Sequence, residues 1–265
     1  MDTVRRDASF LRRRRPMSTR RLIHLRCGHA RRAVLALAMA AGAAAAGPVF
    51  APDPSDFPVH GVDVSHHQGR IDWAMVAREP GQRFAYLKAT QGRAHVDPEF
   101  ARNWRGARAA GLKVGAYHYF SFCSGAAAQA RLFLSVVPRA ADALPAVLDV
   151  EHLLNCAPAP DVDKVRASLR LWLTRVERAT GKRPIVYATA DVLNEFFLGS
   201  DLDYPLWVRA TPEDPEPVLQ LPWLIWQYDD QHTLSGLAGT VDRDVFTGDA
   251  TGLLALSNLP ARRRR

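Results

Sequence analysis

The sequence is short of most of the signatures that assign chemistry to a chain, and each absence excludes something. Its histidines form no His-x-His or His-x-x-x-His pair, so a zinc-type ligand spacing is missing. No Gly-rich phosphate-cradling loop occurs, which removes the nucleotide-binding folds built on one. Ser65 stands in no strand-turn-helix elbow, which argues against serine hydrolysis. The main apolar run, Ala33 to Ala46, has fourteen residues and is too short to cross a bilayer comfortably. Cysteine is scarce, with three in 265 residues. No internal repeat and no second domain are legible.

Positive charge is also scarce away from the ends. Residues 1–46 carry 11 Arg against Asp2 and Asp7, a net of +9 in a chain whose total is +8. Residues 47–265 therefore sum to −1, and without Arg262 to Arg265 the remainder stands at −5. The high pI belongs to the two ends and describes no nucleic-acid-binding surface. A basic start, then an apolar run, then Ala44-Ala45-Ala46-Gly47 is the layout of a cleaved secretory signal. An uncleaved anchor is the alternative. Met17 can serve as the initiator, and Ser18-Thr19-Arg20-Arg21-Leu22 is compatible with a twin-arginine signal. The chain is thus expected in the periplasm or outside the cell, with no membrane span after cleavage. Cys27 goes with the leader. Cys123 and Cys156 remain, and an even count in an exported protein favours a disulfide over two buried thiols.

The remaining organisation reads as a leader at 1–46, a linker at 47–57, one domain at 58–258 and a basic tail at 259–265. Strand-like runs fall at Val59–Val64, Phe84–Ala89, Lys113–Phe120, Ala146–Glu151, Ile185–Ala188, Leu206–Arg209, Leu224–Tyr228 and Val241–Phe246. Helical runs separate the first five, at Trp73–Glu79, Asp97–Ala110, Ala126–Val137 and Asp161–Thr180, and a further one lies near Val192–Phe197. Alternation of this kind argues an α/β fold with a parallel sheet, and eight strands argue closure into a barrel with few helices in its last third. The third and fourth strands would then send Cys123 and Cys156 out at one rim, within bridging range.

Two acids dominate the chemistry. Asp149 and Glu151 lie two apart at the end of an apolar, β-branched strand, so they share one face with Cα atoms about 6.5 Å apart. Chemistry in such barrels sits at the C-terminal strand ends. Asp63, Lys88, His118, Tyr119, Tyr187, Arg209, Gln227, Tyr228, Asp242 and Asp244 also fall near strand ends, the mix of polar and aromatic groups that a carbohydrate cleft needs. Like charges so close cannot all ionise cheaply, and the raised pKa that follows is what a general acid requires. The competing use of Asp63, Asp149, Asp242, Glu151, His118 and His152 is a divalent metal site, and the ligand spacing disfavours it. Trp207 and Trp172 read as core, while Trp73 and Trp226 can stack on a sugar face.

Eight motifs occur in order: His60-Gly61-Val62-Asp63-Val64-Ser65, Leu87-Lys88-Ala89-Thr90-Gln91-Gly92, Gly115-Ala116-Tyr117-His118-Tyr119, Leu148-Asp149-Val150-Glu151, Pro184-Ile185-Val186-Tyr187, Leu206-Trp207-Val208, Ile225-Trp226-Gln227-Tyr228 and Val241-Asp242. Together they resemble glycoside hydrolase family 25, the Chalaropsis-type lysozymes, from about His60 to Gly248. The resemblance implies a flattened, TIM-like β/α barrel that cuts the β-1,4 bond between N-acetylmuramic acid and N-acetylglucosamine in peptidoglycan. Separately, a monomer without cofactor or metal is expected. The resemblance implies Glu151 as general acid and Asp149 as the residue that assists the substrate's acetamido group or acts as nucleophile. Asp63 and Asp242 would line the floor, and Tyr119 and Tyr187 would border the sugar subsite. His118, Gln227 and Lys88 are the further expected substrate contacts. The family usually has Glu where this chain has Gln91, which leaves a noncatalytic peptidoglycan-binding barrel as the alternative.

Overall fold

A computed structural model describes residues 52–151, 161–211 and 222–257. The leader, the segment 152–160 that contains Cys156 and His152, and the basic tail fall outside the described residues. The strands are β1 (His60–Val64), β2 (Gln82–Gln91), β3 (His95–Val96), β4 (Lys113–Tyr119), β5 (Val147–Val150), β6 (Ile185–Ala188), β7 (Leu206–Arg209), β8 (Ile225–Thr233) and β9 (Thr240–Phe246). The helices are α1 (Trp73–Val76), α2 (Phe100–Ala109), α3 (Ala126–Val136), α4 (Val162–Thr180), α5 (Ala190–Val192), which runs on into a π-helical turn Leu193–Phe197, and α6 (Ala250–Leu256).

Eight strands close into a barrel in the order β1-β9-β8-β7-β6-β5-β4-β2, with β1 pairing β2 and β3 added as a hairpin on β2. The expectation of a parallel sheet holds from β1 through β8 but fails at the last strand. β9 runs antiparallel to both β8 and β1. The cause is the connection: Thr233 pairs with Thr240, so only residues 234–239 join the two strands. A parallel return needs a crossover of roughly a dozen residues or more.

Two apolar layers hold the barrel. The inner one contains Phe84, Tyr86, Val147, Ile185, Tyr187, Trp207, Ile225 and Phe246. Two glycines make room for it: a Cβ on Gly61 would stand 2.2 Å from the Phe84 ring, and one on Gly115 would stand 2.0 Å from Tyr86. The outer layer lies between the strands and the helices. α4 turns Val165, Leu169, Trp172, Leu173 and Val176 toward it, the stripe expected of a period of 3.6. Asp161 caps that helix, its carboxylate accepting from the Asp163 and Lys164 amides.

Local chemistry explains two further departures from the sequence reading. α2 begins at Phe100 rather than Asp97; Asp97 stands in the turn before it, its carboxylate accepting from the His66 and Glu99 amides and its carbonyl from the Phe100 amide. α6 was not legible beforehand. It is short and capped by Asp249, and its Leu253 and Leu256 join the inner layer beyond the end of β9.

Candidate active site

Side chains alternate across each barrel strand, so one residue in two faces inward. At the rim where the parallel strands end, the inward positions are Asp63 on β1, Lys88 on β2, Tyr117 and Tyr119 on β4, Asp149 on β5, Tyr187 on β6, Gln227 on β8 and Asp242 on β9, with Glu151 just past β5. They line one cavity of about 200 Å³, together with Ser65, His67 and Gln68 from the turn after β1, and with Val147 and Trp207. The reversal of β9 is what brings Asp242 here. It sits near the start of that strand and pairs in register with Asp63, near the end of β1.

The lower part of the cavity is a chain of defined hydrogen bonds. Tyr187 donates to Gln227 Oε1 at 3.0 Å, and Gln227 Nε2 donates to Asp63 Oδ2 at 2.8 Å. Below them Trp207 Nε1 donates to Asp244 Oδ1 at 3.0 Å. Asp244 is fully buried, a layer deeper than the strand-end position its sequence suggested. Lys88 Nζ lies 4.8 Å from the centre of the Tyr119 ring.

Burial and mutual repulsion shape the protonation of this group. Burial first, then the Glu151 charge, raises the Asp149 carboxyl well above the usual range, against the pull of Lys88. Burial, then Asp242 and Asp244, does the same for Asp63, and the Gln227 hydrogen bond opposes it. Asp242 is pushed up to about 6 by burial and Asp230, while a hydrogen bond with Asp63 and the Arg209 charge hold it back. Burial also lifts the phenols of Tyr117 and Tyr187. Among the described residues Asp149 Oδ1 has no hydrogen-bond partner. A set of crowded, buried carboxyls of this kind holds protons near neutral pH and can donate one to a leaving group.

One expected contact lies elsewhere. His118 faces out of the barrel, because its neighbours Tyr117 and Tyr119 face in. It is fully buried in the outer layer, with Nδ1 2.7 Å from Thr90 Oγ1 and Nε2 3.0 Å from Gln129 Oε1. Its ring stacks on Trp172 at 5.5 Å, and burial lowers its pKa to about 4, so it is neutral. A metal cluster of the rim acids with His118 is therefore not assembled, and His152 lies outside the described residues. Tyr117 is the site residue that sequence reasoning passed over, although alternation from Tyr119 would have found it. Trp226 and Trp73 are buried, their indole N–H groups donating to Ala210 O and Asn103 Oδ1. Arg209 and Tyr228, also read as rim groups, are engaged with Asp230 and with Arg243. Gln91 does not line the cavity; it pairs with His95 in the β2–β3 hairpin.

The sequence and the fold have relatives among known proteins. Residues 62–237 match the model of glycosyl hydrolases family 25. Over 206 residues the chain is 41% identical to the uncharacterized protein YegX of Escherichia coli strain K12, covering 76% of this chain and 74% of that one. It is 35% identical over 215 residues to lysozyme M1 of Streptomyces globisporus, covering 76% of this chain and 71% of the relative. The solved structure of a family 25 glycosyl hydrolase from Bacillus anthracis superposes with a TM-score of 0.70 at 32% identity, over 80% of this chain and 96% of the other. With the acidic cavity at the same strand ends that the motifs marked, the chain belongs to glycosyl hydrolases family 25.

Proposed function

We propose that this chain is an N-acetylmuramidase, cutting the β-1,4 bond between N-acetylmuramic acid and N-acetylglucosamine in peptidoglycan with retention of configuration. The observation that carries the reading is the convergence of Asp63, Asp149, Glu151 and Asp242 on one cavity beside Tyr119, Tyr187, Gln227 and Lys88. Similarity to lysozyme M1 supports the substrate class. In this reading Glu151, next to the crowded carboxyls, gives its proton to the glycosidic oxygen. Asp149 steadies the positive charge on the sugar, or on the acetamido group that attacks the anomeric carbon, one of the exceptions to the simple two-carboxylate scheme. Asp63, fixed by Gln227, and Asp242 tune the field. Lys88, Tyr119 and Tyr187 contact the sugar.

The noncatalytic binding barrel rests on Gln91 alone, which pairs with Tyr119 at the rim but does not itself line the cavity. Clearing of a peptidoglycan suspension separates the two. The wild-type chain is expected to clear it and Glu151→Gln to be slower by about 10²–10⁴-fold with an unchanged melting temperature. Near-wild-type clearing by Glu151→Gln would overturn the assignment.

We further infer a monomer that is exported to the periplasm or beyond, with residues 1–46 removed, 47–57 as linker and 259–265 as tail. Among the described residues no helix is long and apolar enough to cross a membrane. Cys123 follows β4, and its partner in this proposal, Cys156, lies outside the described residues. A disulfide between them would close a loop of about 33 residues and stabilise the fold by roughly 3–4 kcal/mol on the chain-entropy estimate. Intact-mass measurement after alkylation of the exported protein should find neither thiol modified.

A further inference from the structure

Beside the cavity, outside the acidic group, three side chains from two chain segments converge. His66 lies in the turn after β1, His95 on β3, and Asp97 directly after β3. One ligand-type atom from each lies within 4.8 Å of the other two. We propose that His66, His95 and Asp97 form a binding site for a divalent transition-metal ion of the zinc type.

The site is built rather than fortuitous. Asp97 is 2% exposed, and a buried carboxylate needs partners that fix it. Its Oδ1 accepts from the Glu99 amide at 2.9 Å, and its Oδ2 accepts from the His66 amide at 2.9 Å while standing 2.8 Å from His66 Nδ1. The His66 and His95 rings are 5.9 Å apart, and the His95 backbone is held by pairing with Gln91. Ligands about 2.0–2.2 Å from a tetrahedral zinc ion stand roughly 3.3 Å from one another. The His66–Asp97 pair is already near that separation, and exposed His95 closes the remainder by rotation about its side-chain bonds. Two imidazoles and one carboxylate favour zinc, copper or nickel over magnesium or calcium, whose ligands are oxygens. The fourth position is left to water. His95 and Asp97 are two apart, but His66 lies too far from them in sequence for a short spacing pattern to reveal the set.

Such an ion would tie the turn after β1 to the β2–β3 hairpin. That turn also supplies His67 and Gln68 to the cavity, so metal occupancy would stiffen one wall of the cleft. Calorimetric titration of the untagged full chain with zinc sulfate, paired with scanning calorimetry, tests the proposal. The wild-type chain should bind one zinc ion per molecule, and its melting temperature should rise by about 5–10 °C at a hundredfold excess over Kd. Magnesium sulfate should leave it unchanged. His95→Ala should weaken binding at least tenfold while its circular dichroism stays that of the wild type; His95→Asn serves if the alanine variant does not fold. Absence of binding by the wild-type chain would overturn the site. So would unchanged affinity in the variant, which would put the ion on the cavity carboxylates or the leader. The readout is binding, so it stands apart from any result on peptidoglycan.

Discussion

Two polar clusters sit on opposite faces of one barrel wall and are built on opposite terms. In the outer layer each His118 ring nitrogen has a partner, Gln129 accepts from the Ser121 amide and donates to the Ser121 and Ser124 carbonyls, and the imidazole is kept neutral. In the cavity, Asp149 on the adjoining strand has an oxygen without a partner among the described residues and a carboxyl that burial and Glu151 push upward. Buried polar groups that are fully satisfied hold a structure together, whereas crowded, unsatisfied ones cost stability and are retained where chemistry needs them. The difference is one residue of register on β4 and β5.

Asp149→Asn should give the largest effect on this contrast. Removing one of the crowded charges should lower the rate on peptidoglycan by about 10²–10³-fold, the size expected for a lost electrostatic stabiliser. Melting temperature should hold or rise, since a repelled, desolvated carboxyl is gone. NMR of the first product from the wild-type chain should show the retained anomer. A variant that loses stability while keeping its rate would mean that Asp149 belongs to the structural cluster after all.

His118→Ala should do the reverse. It leaves Thr90 Oγ1 and Gln129 Oε1 without their ring partners and opens a cavity beside Trp172 and Phe133. A loss of about 2–4 kcal/mol in urea unfolding is expected, with the rate per folded molecule within a few-fold of wild type. A collapse in rate with unchanged stability would break the comparison and return His118 to the cleft.

Much of this was legible in the sequence, for physical reasons that also explain the rest. The strand-like runs placed β1, β4, β6 and β7 to within a residue or so, because strands buried on both faces read as near-continuous apolar stretches. The acids at the end of β5 were legible because a buried strand does not pair carboxylates idly. His118 was misplaced because membership of a rim motif outweighed alternation, although Tyr117 and Tyr119 on either side of it fix its face. The reversal of β9 depends on counting a short loop, and its consequence, Asp242 at the rim with Asp244 beneath it, needs the register Asp63–Asp242. The His66–His95–Asp97 group joins segments that no spacing rule connects.

Asp242→Asn carries the smallest effect, and pH brings it out. The Asp242 carboxyl is raised from 3.8 to about 6, chiefly by burial and then by Asp230. Between those values the folded chain holds a proton that the unfolded chain has released, so this group's contribution is full below pH 3.8 and is lost as pH rises to about 6. His118, lowered from 6.5 to about 4, acts in the opposite sense, losing its contribution as pH falls through that window. The wild-type stability profile mixes these with the other shifted groups, whereas the difference between wild type and Asp242→Asn reports the carboxyl together with the relief its loss gives Asp63. At pH 4 the two chains should melt close together. At pH 8 the variant should be the more stable, by roughly 3 kcal/mol at most from a shift of about two pK units. A difference that does not change between pH 4 and pH 8 would mean that the cavity leaves Asp242 ionised like any surface acid.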